Sequence, residues 1–163
     1  MQDAKDRSRP DSSRRSKRRR AREEAVKALY EIELNPAPAE EVVNRPQPGG
    51  GRLSGEIRSF AVDLVQGIVA NRDELDSMLV RFAARQRIDR MAVIDRCVLR
   101  LAAYELRFRP DIPVEVTLNE AVELAALFGD AATASFVNGL LDRMIRELDI
   151  RSLKAPETAK RRG

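Results

Sequence analysis

A run of arginines near the amino terminus is the part of this sequence best suited to chemistry. The cluster consists of Arg18, Arg19, Arg20 and Arg22, and it lies where the apolar pattern of a helix begins. Positive side chains at the start of a helix oppose the helix dipole, so local folding does not explain them. Guanidinium groups bind the phosphates of nucleic acids. We therefore predict that the cluster binds a polyanion, and a solvated tail without a ligand is the alternative.

The basic charge is confined to one end of the chain. Residues 1–22 contain ten lysines and arginines and three aspartates, whereas the whole 163-residue chain has a formal net charge of +4. The remaining residues are therefore net acidic. Polar, charged segments without apolar periodicity do not form a core, so we expect residues 1–17 to be a disordered basic tail. Residues 151–163 are predicted to form a basic carboxy-terminal tail.

The composition argues against an enzyme. The chain has no histidine, which removes Ser-His-Asp and Cys-His catalysis and the common zinc sites. Cys97, the only cysteine, lies among aliphatic residues, and we interpret it as a buried thiol in a reducing compartment. No catalytic residue, metal site or cofactor is expected. No apolar run is long enough for a membrane span, and no apolar signal sequence precedes the arginines.

Apolar residues recur at helical spacing through residues 18–150 and predict an all-α fold of six or seven helices. Residues 36–54 are rich in proline and glycine and are predicted to form a loop between two of these helices. The helix with the most apolar residues is expected to be central, with Asp89 as its N-cap and Arg109 at its end.

The last two predicted helices should form a buried hairpin. Thr117 and Glu120 have the spacing of a capping box, and Gly129 is predicted to end the first helix in a left-handed conformation. Gly139 lies inside the second helix, where glycine costs about 1 kcal/mol relative to alanine. We expect this cost to reflect another helix backbone that passes close to Gly139.

Several phrases of the sequence resemble the NusB family of bacterial transcription antitermination factors. The most specific are Asn-Glu-Ala at 119–121 and Phe-Val-Asn-Gly at 136–139. The resemblance covers about residues 18–148. It is carried by residues 18–23, 25–30, 95–106, 111–113, 119–125, 128–129 and 136–142.

The resemblance implies an all-helical fold of two three-helix bundles and a role without catalysis. Members of the family bind boxA-type RNA in ribosomal RNA leader transcripts, together with the small-subunit ribosomal protein known as NusE. The complex joins other Nus factors on RNA polymerase in the cytoplasm and suppresses premature termination. Some members are monomers, and others are homodimers that hide the RNA surface.

The resemblance also implies roles for individual residues. The four arginines of the cluster correspond to RNA contacts, and Tyr30 corresponds to a tyrosine near the RNA and the partner. Phe136 corresponds to an aromatic residue that stacks on a base, and Asp95 to an acid that faces NusE. Tyr30 and Phe136 could instead belong to the packing, and Asp95 could be an ordinary surface acid. Residues 132–135 depart from the family, because many members have basic or histidine side chains there.

Two other functions stay open from the sequence. The first is a helical homodimer whose basic tail binds nucleic acid without sequence preference. The second is a module of the kind that is fused to RNA cytosine methyltransferases. Only residues 150–163 follow the helical module, so no methyl-donor site is expected. Competition between boxA and scrambled RNA at equal salt would separate the first alternative from a sequence-specific adaptor.

Overall fold

The computed structural model describes residues 9–155, with side chains from residue 13 onward. Within these residues the fold is all-α, as predicted, and contains no strand. Six of the helices have eleven or more residues, and three have five or six. The helices are α1 (Arg9–Leu34), α2 (Ala39–Val43), α3 (Gly55–Ala70), α4 (Arg72–Phe82), α5 (Arg85–Arg90), α6 (Val93–Phe108), α7 (Val114–Phe128), α8 (Ala131–Glu147) and α9 (Ile150–Lys154). None of these helices combines the length and apolarity needed to cross a lipid bilayer.

Helix α1 begins within the stretch that the sequence predicted to be disordered. It starts at Arg9, so residues 9–17 are helical. Arginine and lysine are good helix formers, and a proline such as Pro10 is tolerated in the first turn. The rest of the predicted tails, residues 1–8 and 156–163, lies outside the described residues.

The chain divides into two compact units, with the boundary between Gln66 and Gly67 inside α3. The first unit contains α1, α2 and most of α3, and the second contains α4 to α9. The core of the first unit is aliphatic apart from one aromatic ring. Its members include Ala21, Ala25, Val26, Leu29, Val43, Leu53, Phe60, Leu64 and Val65.

The proline- and glycine-rich segment 36–54 is only partly a loop. It contains the five-residue helix α2, which packs on α1 and buries Val42 and Val43. Pro38 precedes α2 in an extended conformation, with φ −60° and ψ 137°. Leu53, at the far end of the segment, is also buried. Three apolar anchors therefore attach the segment to the first unit.

Helix α6 is central to the second unit, as predicted, and contacts α4, α7 and α8. Its predicted start was wrong. Asp89 lies inside the separate helix α5, and the backbone is then extended at Met91 (ψ 150°) and Ala92 (ψ 144°). These two extended residues end one helix before α6 begins at Val93.

The hairpin of α7 and α8 is confirmed, but the capping box is not. Helix α7 begins at Val114, directly after Pro113, so Thr117 lies inside the helix. Proline suits this position because its fixed φ and missing N–H cost nothing at a helix start. The buried Thr117 hydroxyl donates to Oε1 of Glu105 on α6, at 2.8 Å, and this bond satisfies two polar groups in the core.

The two glycines of the hairpin have roles that differ from those predicted. Gly129 has φ −118°, so it is not left-handed. A Cβ there would lie 2.9 Å from the Ala125 carbonyl oxygen and 3.0 Å from Oδ1 of Asp95, so close approach explains this glycine. At Gly139 a Cβ would meet nothing within 4 Å, so the expected neighbouring backbone is absent from the described residues.

Candidate nucleic-acid interface

The arginine cluster lies in the middle of α1, where helical geometry divides it between two faces. Arg18 and Arg22 are four residues apart and therefore share a face. Both guanidinium groups lie over the ring of Phe60 on α3, at 4.7 Å and 5.4 Å from the ring centroid. Arg22 is only 1% exposed. The structure therefore assigns Arg22 to the packing of the first unit.

Arg19 and Arg20 point away from this core and are exposed. They line an open groove of about 420 Å³ on the outer side of α1. Lys27 and the carboxylates of Glu23 and Glu24 also line it, and Lys27 pairs with Glu24 at 3.2 Å. The groove is thus polar, open to solvent and lined by two guanidinium groups, as suits contact with a phosphate backbone.

The loop after α2 forms the opposite wall of the groove through Gln47 and Pro48. The Gln47 N–H donates to the Gly51 carbonyl at 2.6 Å, and the Gly50 N–H donates to the Gln47 carbonyl at 2.9 Å. Gly49 and Gly50 have φ values of 98° and 94°, which other residues rarely adopt. The glycine triplet therefore has a conformational role, because it closes the turn that borders the groove.

Tyr30 lies near the carboxy-terminal end of α1 and is 39% exposed. It is two helical turns beyond Arg22, which corresponds to roughly 12 Å along the axis at 1.5 Å per residue. Tyr30 is accessible to a ligand or partner, but it does not line the groove beside Arg19 and Arg20.

Asp95 occupies the first turn of α6 in the second unit and is 8% exposed. Its Oδ1 has no hydrogen-bond partner among the described residues and faces the backbone at Gly129. Burial, and secondarily the Asp130 carboxylate, raise the pKa of Asp95 above its ordinary value. A buried carboxylate without a donor favours protonation or a donor from another molecule.

Asp130 stabilises the start of α8, the helix that carries Phe136. Its carboxylate accepts from the Thr133 N–H at 2.7 Å, and this N-cap bond lowers the pKa of Asp130. Phe136 follows one turn later and is half-buried. The guanidinium of Arg87, on α5, lies over its ring at 4.0 Å from the centroid. The sequence therefore predicted the aromatic residue but not the arginine that covers it.

Arg87 and Phe60 are the two residues of these sites that sequence reasoning missed. Arg87 belongs to the run Arg85-Gln86-Arg87-Ile88-Asp89-Arg90, and its charge density was the available signal. Phe60 has the apolar spacing of a helix, which indicates packing and not an arginine contact. Among residues 9–155 no group of three acidic, cysteine or histidine side chains could hold a metal ion.

Comparison with known proteins agrees with this fold. The NusB family model matches residues 19–146. The transcription antitermination protein NusB of Myxococcus xanthus is 43% identical over 130 residues, which cover 78% of this chain and 93% of that protein. The NusB of Bacillus subtilis is 38% identical over 133 residues, covering 82% and 98% of the two chains.

Solved structures of NusB proteins are also similar to this chain. A structure of T. maritima NusB superposes with a TM-score of 0.70 at 36% identity, covering 80% of this chain and 91% of that one. A crystal structure of the antitermination factors NusB and NusE in complex with double-stranded RNA gives a TM-score of 0.68 at 27% identity. That match covers 81% of this chain and 98% of the other.

An all-helical chain that superposes on solved NusB structures belongs to the class of helical transcription factors. Within that class, this chain belongs to the NusB family of transcription antitermination proteins, which are not enzymes.

Proposed function

We propose that this protein is an adaptor in transcription antitermination that binds boxA-type RNA together with NusE. The observation that carries the proposal is the groove along α1, where the exposed Arg19 and Arg20 face solvent beside the glycine turn. The solved complex of a related NusB with NusE and RNA supports the choice of ligand and partner. In such a role the protein would act in the bacterial cytoplasm and reach RNA polymerase through other Nus factors.

The four arginines of the cluster would have different roles in RNA binding. Arg19 and Arg20 would neutralise phosphates, because their guanidinium groups are accessible. Arg18 is partly exposed and could reach a phosphate while it lies on Phe60. Arg22 would act indirectly, because it is buried against the same ring and holds α1 in position.

The other predicted residues take distinct roles in this proposal. Tyr30 and Phe136 each present part of an aromatic ring, and stacking of an unpaired base on such a ring contributes roughly 1–3 kcal/mol. Asp95 would accept a hydrogen bond from a NusE donor, which would give its buried Oδ1 a partner. Replacement of Asp95 by asparagine should then weaken NusE binding and leave the affinity for RNA alone unchanged.

The test is RNA affinity measured by fluorescence anisotropy at two salt concentrations. Labelled boxA RNA would be competed with scrambled RNA, with and without NusE. The double variant Arg19→Ala/Arg20→Ala should lower the affinity and reduce the slope of log affinity against log salt by about 1.4, because each phosphate contact on a single strand contributes about 0.7.

The control variant Arg146→Ala/Arg151→Ala removes the same charge from exposed arginines that pair with Asp142 and Glu115. It should bind like the wild type. A boxA preference that NusE enhances supports the adaptor role. Equal, weak binding of both RNAs without a response to NusE would instead indicate a helical scaffold with a non-specific basic surface, and the proposed function would be wrong.

A further inference from the structure

Three helices of the second unit, α4, α6 and α9, enclose a cavity that the proposed function does not use. The cavity has a volume of about 580 Å³. Cavities of roughly 300–1,000 Å³ with mostly apolar walls are typical of binding sites for small organic molecules. None of the residues that line it is assigned above to RNA or to NusE. The cavity therefore has the size of a small-molecule site and is separate from the nucleic-acid interface.

The inner wall of this cavity is apolar. Met78 on α4, Leu106 on α6 and Ile150 on α9 line it, and each of these side chains is at most 8% exposed. Leu153, also on α9, lines the outer part of the cavity and is 66% exposed. Transfer of a hydrocarbon chain from water to such a wall is favourable, because apolar surface is removed from water on both sides. The wall therefore favours a ligand with an aliphatic part.

Helix α9 is held in place as one wall of the cavity. The chain turns from α8 into α9 at Asp149, whose φ of 51° is left-handed. At the other end of α9, the Lys154 Nζ donates to the carbonyl oxygens of Glu105 at 3.0 Å and Ile112 at 2.7 Å. These two hydrogen bonds attach α9 to α6 and to the segment before α7. The cavity is therefore formed before any ligand binds, which lowers the cost of binding.

The rim of the cavity carries a net positive charge. Arg107 lies 3.6 Å from Glu74, so these two charges of the rim compensate each other. Arg81 lines the cavity, is exposed, and has no ion-pair partner among residues 13–155; its guanidinium lies 5.7 Å from the centroid of the Phe82 ring. The ammonium group of Lys154 adds a second cation to the rim. An uncompensated guanidinium beside a second cation attracts an anionic group.

We propose that the cavity between α4, α6 and α9 binds a small amphipathic carboxylate, such as a medium-chain fatty acid. The hydrocarbon chain lies against Met78, Leu106 and Ile150, and the carboxylate binds Arg81 at the rim. Nucleic acid suits the cavity less well, because none of the lining residues between 13 and 155 is aromatic and could stack on a base. The inference is independent of the proposed function, because it requires neither RNA nor NusE.

The first experiment measures the affinity of the full chain for hexanoate, octanoate and decanoate by isothermal titration calorimetry, below the micelle concentration of each. The affinity should rise roughly fifteen-fold for each two methylenes that enter the cavity. An affinity that does not rise along this series would show that the apolar wall does not bind the chain, and the inference would be overturned.

The second experiment tests the carboxylate contact by comparing octanoate with octanamide. The wild type should prefer the carboxylate roughly twofold to fivefold, the range for an exposed ion pair, and Arg81→Gln should abolish this preference. Arg151→Gln is the matched control, because Arg151 is an exposed arginine of α9 that pairs with Glu115 and does not line the cavity. It should keep the preference. An equal preference in the wild type and Arg81→Gln would contradict the assigned contact.

A third experiment locates the ligand. Ser77 is an exposed residue that lines the cavity, so Ser77→Trp should narrow the cavity and lower the affinity for decanoate about tenfold or more. Ser152→Trp is the control, because Ser152 is exposed on α9 outside the cavity. Circular dichroism would verify that both variants are as helical as the wild type. Equal affinities of the two variants would place the ligand elsewhere, and an affinity that falls as protein concentration rises would assign the cavity to a second copy of the chain; either result would overturn the inference.

Discussion

Replacement of Arg22 by alanine should destabilise the protein, although Arg22 belongs to a cluster whose pattern indicates RNA binding. The side chain is 1% exposed and its guanidinium lies over Phe60 at 5.4 Å from the ring centroid. Loss of the two buried methylenes Cγ and Cδ costs roughly 1.6 kcal/mol, and loss of a desolvated cation–π contact costs up to about 2 kcal/mol more. Recovered side-chain entropy offsets part of this, which leaves a net loss of about 1.5–2 kcal/mol.

A loss of this size should lower the midpoint of thermal unfolding by roughly 3–8 °C for a chain of this length. Circular dichroism at the helix band measures the midpoint directly. Arg20→Ala is the matched control, because Arg20 is exposed and such substitutions usually stay within about 0.5 kcal/mol. Arg22→Lys should give an intermediate midpoint, because it keeps the stem and the charge but not the plane. If Arg22→Ala unfolds at the same temperature as Arg20→Ala, the assignment of Arg22 to the core is wrong.

Four further substitutions test individual contacts in the second unit. Thr117→Val should cost about 1–3 kcal/mol in urea unfolding, because the buried Glu105 carboxylate loses the hydroxyl that lies 2.8 Å from it; an unchanged midpoint would contradict this bond. Gly129→Ala should lower the free energy of unfolding by about 1–3 kcal/mol, because a Cβ would lie 2.9 Å from a carbonyl oxygen. Gly139→Ala should raise the free energy of unfolding by roughly 0.5–1 kcal/mol, because its Cβ would meet nothing within 4 Å. Burial, and secondarily a neighbouring carboxylate, raise the pKa of Asp95 above 3.8, so the stability that its protonated form contributes is lost as pH rises from 3.8 through the raised value. Asp95→Asn removes this loss, so the unfolding free energy of the variant relative to the wild type should rise as pH increases above 3.8, and a difference that stays constant or falls would refute the assignment.

Local patterns in the sequence were sufficient to predict most of the helical fold. The spacing of apolar residues predicted a helical fold, its central helix α6 and the hairpin, because burial of one face imposes a period of 3.6 residues on the sequence. Helix boundaries were less predictable. Thr117 and Glu120 have the spacing of a capping box, yet Pro113 starts the helix one turn earlier and Thr117 instead bonds to Glu105. A cap and a core polar pair use the same residue types, so the spacing alone does not distinguish them.

The glycines illustrate the same limit. Gly129 and Gly139 differ in their surroundings, and only the fold places the Asp95 carboxylate beside Gly129 while Gly139 faces open space. A helical glycine in a sequence does not reveal whether a neighbour requires it, because that neighbour comes from another part of the chain. The expectation of a close backbone at Gly139 was wrong for this reason.

The candidate site depends on both the amino-acid sequence and the tertiary structure. The sequence by itself determined that the fold is helical, that α1 carries an arginine cluster, and that the chain resembles the NusB family. The tertiary structure decided which guanidinium groups are exposed: Arg22 is buried against Phe60, while Arg19 and Arg20 are exposed and line the groove. It also brought Arg87 onto Phe136. The physical reason is that helical periodicity is local, whereas the burial of a charged side chain depends on which distant ring packs against it.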